Sequence, residues 1–475
     1  MRFRTAALAV VLCLITAACG SRLSAEDRKV FASAGGTGSG TGTVSGAGGD
    51  TGTAAGTGTD TGTGTGTGAA GTGTGAATGT GAKTGGATPP PGAPKGGNGG
   101  ATDVGVTATD ITIAVLTDRT GPVPGIFEPS VRAVQAWSNY INSKGGIFGR
   151  KVKVIPIDSK TSAADNRAGA LQACKQAFAI VGSMSAYDDG GAQAINDCGI
   201  PDISATVVNP PRDQSGPSYP AFPNLRHYVL GSKKLLSDEN PGSKEKAAMI
   251  WLNASVAAYN AKKNMQAATS IGYNFVYQKQ VEVVEPNYTP YVVDMKNAGV
   301  QYVSMVGDNN SIARMMKAFK SQNYTPKVRE FDTVIYDPKF LQQAGDAAEG
   351  VYTSITITPL EEAASNPEYT LYLDSLKRSS GGNPDGFFGA YAWSASRLFQ
   401  EGLEKTGPQA TRAKLLDFLK NMHSWDDHGL HAAHDVGNKT AANCFISLVV
   451  KGGKFTRHAP AKGFDCNRTP MFPPA

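Results

Sequence analysis

The stretch Asn142-Ser-Lys-Gly-Gly-Ile-Phe-Gly-Arg-Lys-Val152 joins a helix stop, a tight turn and a strand start. Upstream of it, Val131, Val134, Trp137 and Ile141 recur at intervals of three and four, the spacing of one helix face, and Pro129 stands in the first turn. Gly145-Gly146 ends that helix. Downstream, Val-Lys-Val-Ile-Pro-Ile over 152–157 reads as a strand, and before the helix Ile111, Ile113 and Val115 alternate at period two. Strand, helix, strand in this order predicts two parallel neighbours with a right-handed crossover.

The alternation continues along the chain. Leu171, Cys174 and Phe178 mark a second helix face, 178–181 a third strand, 191–197 a short helix and 201–204 a fourth strand. A second α/β stretch starts near Lys246, with strands over 247–252, 274–278, 300–306, 328–335 and 350–357, and a helical face of Ile312, Met315, Met316 and Phe319. Helices follow around Tyr369, Leu373 and Leu376, over 388–403, and over 415–419. Apolar runs on either side of Gly452-Gly453 predict a terminal β-hairpin. The fold class is therefore α/β: two doubly wound parallel-sheet lobes joined by a hinge of several strands. Lobe 1 is assigned 106–224 and 357–430, lobe 2 is assigned 225–356, and the C-terminal segment 431–475 is grouped with lobe 2.

The chain has 475 residues, and its first hundred differ in kind from the rest. Arg2 and Arg4 precede an apolar run over 6–18 that is too short to span a bilayer as a helix but suits a signal sequence. It ends Thr16-Ala17-Ala18-Cys19, small residues before a cysteine, which resembles the bacterial lipobox. That resemblance implies a signal peptide over 1–18 and a palmitate-type lipid on Cys19, holding the protein at the outer face of the cytoplasmic membrane. Residues 19–105 read as a disordered tether. Between 34 and 100 lie 27 of the 58 glycines and almost no large apolar side chain. A Gly-rich coil of that length reaches about 45 Å. Cys174, Cys198, Cys444 and Cys466 remain, and four cysteines allow three pairings. The sequence-near pairs, Cys174 with Cys198 and Cys444 with Cys466, are the simplest choice. The net charge of +6 forms no basic stripe, which argues against nucleic acid as a partner.

Several first-lobe segments together resemble one family. These are 105–116 (Gly-Val-Thr-Ala-Thr-Asp-Ile-Thr-Ile-Ala-Val-Leu), Arg119-Thr-Gly-Pro122, 140–152, Phe178-Ala-Ile-Val-Gly182 and Gly199-Ile-Pro-Asp-Ile-Ser-Ala-Thr206. The chain from about 106 is similar to the type I periplasmic binding proteins, specifically the branched-chain amino-acid-binding (Leu/Ile/Val-binding-like) group of ABC transporters. That family's first-lobe disulfide has a spacing like that of Cys174 and Cys198. The resemblance implies a hinged clamp that captures a small polar solute, an amino acid or amide-like relative, and delivers it to an ABC permease. It implies no chemistry and no cofactor.

In an open parallel sheet a ligand sits beyond the carboxyl ends of the strands. Those ends put forward Thr120, Ser183, Ser185, Ser204, Ala205 and Thr206 on lobe 1. In the family, residues after the third and fourth strands hold the amino acid's carboxylate and ammonium, and this role is carried over to the last five. Lobe 2 puts forward Asn253, Ser255, Asp308, Asn309, Tyr336 and Asp337. Asp308 or Asp337 could accept an ammonium, and either could equally cap the next helix. His428, His431 and His434 lie beside Asp426, Asp427 and Asp435, but a spacing of three drifts around a helix and Gly429 weakens one. They are read as a polar surface loop, with no metal assigned. No Gly-x-Ser-x-Gly, P-loop or His-Glu-x-x-His motif is present, so an enzyme is not expected. A ligand-sensing lipoprotein is the alternative to a transport receptor, and a secreted hydrolase is a distant third.

Overall fold

The computed structural model describes residues 92–382, 386–467 and 471–472. Cys19 and the signal segment lie outside the described residues, as does most of the expected tether.

Lobe 1 is built on a four-stranded parallel sheet. Its strands are β1 (Asp110–Thr117), β2 (Lys151–Asp158), β3 (Ala179–Val181) and β4 (Asp202–Ile203), in the order β2-β1-β3-β4. Helices α1 (Glu128–Ser143), α2 (Ala163–Gln176) and α3 (Asp189–Cys198) connect them. The turn that decides the first crossover depends on Gly146. Its φ is +80°, and a Cβ there would lie 1.9 Å from the Arg150 carbonyl oxygen, so only glycine fits. In α2 the buried residues are Asn166, Gly169, Ala170 and Ala173, while Leu171 is 41% exposed. The expected face was therefore misplaced: small residues, not Leu171, meet the sheet, because Gly169 rides directly over Leu116 and Ile157.

The chain then crosses to lobe 2 through α4 (Pro210–Gln214), β5 (Tyr228–Val229) and α5 (Gly231–Glu239). Lobe 2 holds β6 (Ala247–Leu252), α6 (Ser255–Thr269), β7 (Phe275–Val281), α7 (Thr289–Asn297), β8 (Tyr302–Val306), α8 (Asn309–Ser321), β9 (Val328–Phe331), α9 (Pro338–Ala344) and β10 (Tyr352–Ile355). It returns to lobe 1 as α10 (Pro367–Ser380), α11 (Gly386–Thr406) and α12 (Arg412–Lys420). The hairpin β11 (Ile446–Lys451) and β12 (Lys454–Ala459) then joins lobe 2 antiparallel to β10, giving the order β12-β11-β10-β9-β8-β6-β7. The second sheet is thus parallel over five strands with an antiparallel edge. A short β13 (Met471–Phe472) pairs with β5.

The two later crossings bond to each other. Thr358 N–H donates to Leu430 O (2.8 Å), and Ala432 N–H donates to Thr356 O (3.0 Å). On lobe 1, α11 packs along α1, and the fully buried Trp137 donates from Nε1 to Gln400 at 3.1 Å. Both expected disulfides are formed, Cys174–Cys198 and Cys444–Cys466.

The packed body also starts earlier than residue 106. Arg150 is fully buried, and its guanidinium donates to the carbonyls of Thr107, Gly100, Asn98 and Pro408. The Asn98 side chain in turn donates to Ala108 O and Phe148 O. A cation surrounded by carbonyl oxygens fixes backbone that composition alone reads as unstructured.

Candidate functional site

The carboxyl ends of the lobe 1 strands carry buried acids, and these take up the hydroxyls nearby. Asp118 accepts from Ser159 Oγ (2.5 Å), Ser185 Oγ (2.8 Å) and the Ala186 N–H (2.8 Å). Asp202 accepts from Ser204 Oγ (2.6 Å), Ser218 Oγ (2.7 Å) and Arg212 Nε (2.6 Å), all deep in the lobe. Burial works to raise the Asp202 pKa, but the Arg212 guanidinium and the two hydroxyls outweigh it, and the carboxyl is held below its usual range. Asp188, beside them, accepts from Val208 N–H and the Asn209 amide. Burial prevails there and pushes its pKa up to about 7.

The expected site residues therefore separate. Ser183 Oγ accepts the Leu116 N–H at 2.8 Å, and Ala205 N–H donates to Ser183 O. Thr120 is exposed and donates to Asp158 (2.7 Å). Thr206 lines the space between the lobes, though its hydroxyl donates to Phe222 O (2.8 Å). On lobe 2, Asp308 caps α8 by accepting from Asn310 and Ser311 N–H, and Asp337 caps α9 through Lys339 N–H. Asn309 is the first residue of α8, Ser255 is the first of α6, and Asn253 is exposed, its amide donating to Glu282. Tyr336 OH donates to Glu361 (2.6 Å) and accepts from Leu360 N–H. With Asp337 it lines a separate cavity of about 40 Å³.

The histidine segment is a surface loop only in part: Asp426 and His428 are exposed. His431 and His434 are 1% and 2% exposed. Trp425 Nε1 donates to Ser394 Oγ (2.9 Å), and that hydroxyl lies 2.9 Å from His431 Nε2. His431 Nδ1 faces the Ala432 carbonyl at 2.9 Å, so it carries the proton and Nε2 accepts from Ser394. Burial lowers the His431 pKa to about 4. These rings pack on Phe222, which stacks on Tyr391 with centroids 3.5 Å apart. These residues are buried against Trp425 and against Phe222 and Ser394, the last two far from them in sequence, which a reading of local polarity does not reveal.

Between the lobes lies a cavity of about 420 Å³ at the strand ends of both sheets. Lobe 1 contributes Phe127, Met184, Thr206, Val208 and Phe222, and α11 adds Phe387, Phe388 and Tyr391. Lobe 2 contributes Val306, Asp332 and Val334, and α6 presents Val256, Asn260 and Asn264, one face at intervals of four. Tyr228, Ser354, Thr356 and His434 enter from the crossings.

Asp332 follows β9 directly. Its carboxylate is open to the cavity and accepts no hydrogen bond from the described residues, although protein surrounds it closely enough for burial to raise its pKa. Lys233 pulls that pKa back and Glu330 adds to the rise. Lys233 itself is engaged with Tyr302 OH (2.9 Å) and Glu330 (3.3 Å). His434 Nδ1 accepts the Ala442 N–H at 2.9 Å, and burial holds the ring neutral, so its proton sits on Nε2, where it meets no acceptor among the described residues. Tyr228 OH likewise has no hydrogen-bond partner among the described residues.

Sequence reasoning missed Asp332 by running one strand through 328–335. The strand stops at Phe331, and Thr333–Ile335 is a 3₁₀ turn. An acid interrupting an apolar run was the available signal.

Residues 110–454 match the periplasmic binding protein family. The chain is 21% identical over 310 residues to Leu/Ile/Val-binding protein homolog 7 of Brucella abortus (strain 2308), covering 63% of this chain and 78% of that one. Among solved structures, it is similar to a branched-chain amino acid ABC transporter protein from Thermus thermophilus with bound valine. That likeness has a TM-score of 0.64 at 17% identity, over 74% of this chain and 96% of that one. A fatty acid ABC transporter substrate-binding protein from Thermomonospora curvata gives 0.65 at 15% identity, over 78% and 97%. The two-lobed α/β architecture and the match over most of its length place this chain in the periplasmic binding protein family, with the type I fold.

Proposed function

We propose that the protein is an extracytoplasmic receptor, anchored through a lipid on Cys19, that closes its lobes on a small solute and delivers it to an ABC permease. The observation that carries this reading is the cavity of about 420 Å³ at the strand ends of both sheets, spanned by chain crossings that bond to one another. Family likeness supports an amino acid or amide-like solute as the first ligand to try, valine being the one bound in the Thermus protein. The role in this reading is capture and release, which the family likeness supports.

The test is a thermal-shift screen with amino acids, amides, polyamines and sugars, followed by small-angle scattering. A ligand at about 100 times its Kd should add roughly 2.7 kcal/mol of stability. It should also shrink the particle, since closure requires better contact with the closed state than with the open one. A ligand that raises the melting point without changing the scattering would exclude the clamp.

A further inference from the structure

We infer, resting on that solute-receptor reading, that the solute is an organic amine with an aromatic or aliphatic body, held by Asp332 among aromatic rings, and not a free amino acid or carboxylic acid.

The charge inventory of the cavity points this way. Among the described residues that line it, Asp332 is the one carboxylate and there is no Lys or Arg; the only basic side chains are the imidazoles of His227 and His434. The cation that pulls on Asp332, Lys233, is already committed to Glu330 and Tyr302. A cationic ligand group entering the cavity gives Asp332 the hydrogen bonds it lacks. A ligand carboxylate meets the opposite situation. The hydroxyls that would receive it donate elsewhere: Ser185 to Asp118, Ser204 to Asp202, and Thr206 to Phe222 O. What remains is hydroxyl, amide and imidazole donors without a permanent positive charge, and the repulsion of Asp332.

The lining supplies the rest. Phe127, Phe222, Phe387, Phe388 and Tyr391 form an aromatic wall that removes an apolar body from water. Ring faces also attract a cation, and a carboxylate beside aromatic rings suits an ammonium better than an anion. The volume of about 420 Å³ is at the small end of the usual range for ligand pockets, roughly 300–1,000 Å³. It suits one compact molecule.

Calorimetry on the full chain with three compounds sharing one body tests this: 2-phenylethylamine, L-phenylalanine and 3-phenylpropanoate. The amine should bind at least about tenfold tighter than the other two, because it alone gains the charged contact without the repulsion. Asp332→Asn should weaken the amine by about tenfold to a hundredfold and narrow the gap to the acid. The ranking in the unaltered protein is independent of whether that variant folds. If the amino acid or the acid binds as tightly as the amine, the amine assignment is wrong while the receptor reading stands. The same holds if only a sugar or other uncharged solute closes the lobes. If neither this series nor the broader screen closes them, both readings fall.

Discussion

The Ser204 hydroxyl donates to the Asp202 carboxylate 2.6 Å away, and both side chains are buried in lobe 1. The contact ties a residue at the end of β4 to the Arg212 ion pair rather than to the cavity. Ser204→Ala should therefore cost about 1.5–3 kcal/mol of stability, the range for a hydrogen bond to a charged group. Affinity for any solute that closes the lobes should change less than about twofold. Urea denaturation and calorimetry read the two quantities separately. An unchanged melt with lost affinity would return Ser204 to the ligand.

Acid should weaken the fold through His431. Its imidazole is neutral when folded, with a pKa of about 4, against about 6.5 unfolded. Above about pH 6.5 neither state binds the proton and the residue contributes no pH dependence. Between 6.5 and 4 the unfolded state is protonated first, so stability falls as pH falls, by about 3 kcal/mol in all. Replacing it, as in His431→Gln, removes this term. The stability difference between the natural protein and the variant should be level above pH 6.5 and shrink steadily toward pH 4. A difference that stays constant across that window would contradict it.

The Cys444–Cys466 bridge closes a loop with a sequence separation of 22, and the bridged backbone also pairs Phe445 with Asp465. Changing both cysteines to serine should cost about 3 kcal/mol in the chain-entropy account. Denaturant melts without reductant measure it. An unaltered midpoint would mean that the Phe445–Asp465 pairing holds the loop alone.

Cys19→Ala should move the protein from the membrane fraction to the soluble fraction, because an acylated cysteine gives about 0.8 kcal/mol per buried CH₂. Detergent phase partitioning reads this directly. A variant that remains in the membrane fraction would place the anchor elsewhere.

The sequence was most informative where one period ruled a whole element. Ile111, Ile113 and Val115 placed β1 through its period even though Ala114 and Leu116 on the other face are also buried, and Ile312, Met315, Met316 and Phe319 placed α8, whose opposite face is not. α6 was not foreseen: Ser-Val-Ala-Ala-Tyr-Asn-Ala-Lys-Lys-Asn carries no apolar stripe, since one face of it looks into the cavity. The site was less legible than the fold for the same kind of reason. Whether Ser204 or Asp332 meets a ligand depends on which neighbouring groups already occupy them, Asp202 for the one and none of the described residues for the other, and single-residue chemistry does not contain that. His434 shows the limit well, being polar by type and enclosed only because the crossings bring Phe222 against it.

The Arg150 guanidinium has a mechanical consequence. By gathering the carbonyls of Asn98, Gly100, Thr107 and Pro408, it rivets the entering chain to the first lobe and to the loop before α12. Any pull transmitted along the N-terminal chain is therefore borne by lobe 1 and bypasses the crossings. If the protein is anchored and closes as proposed, lobe 2 would be the unloaded jaw, and tension from the anchor would not have to be overcome each time it shuts.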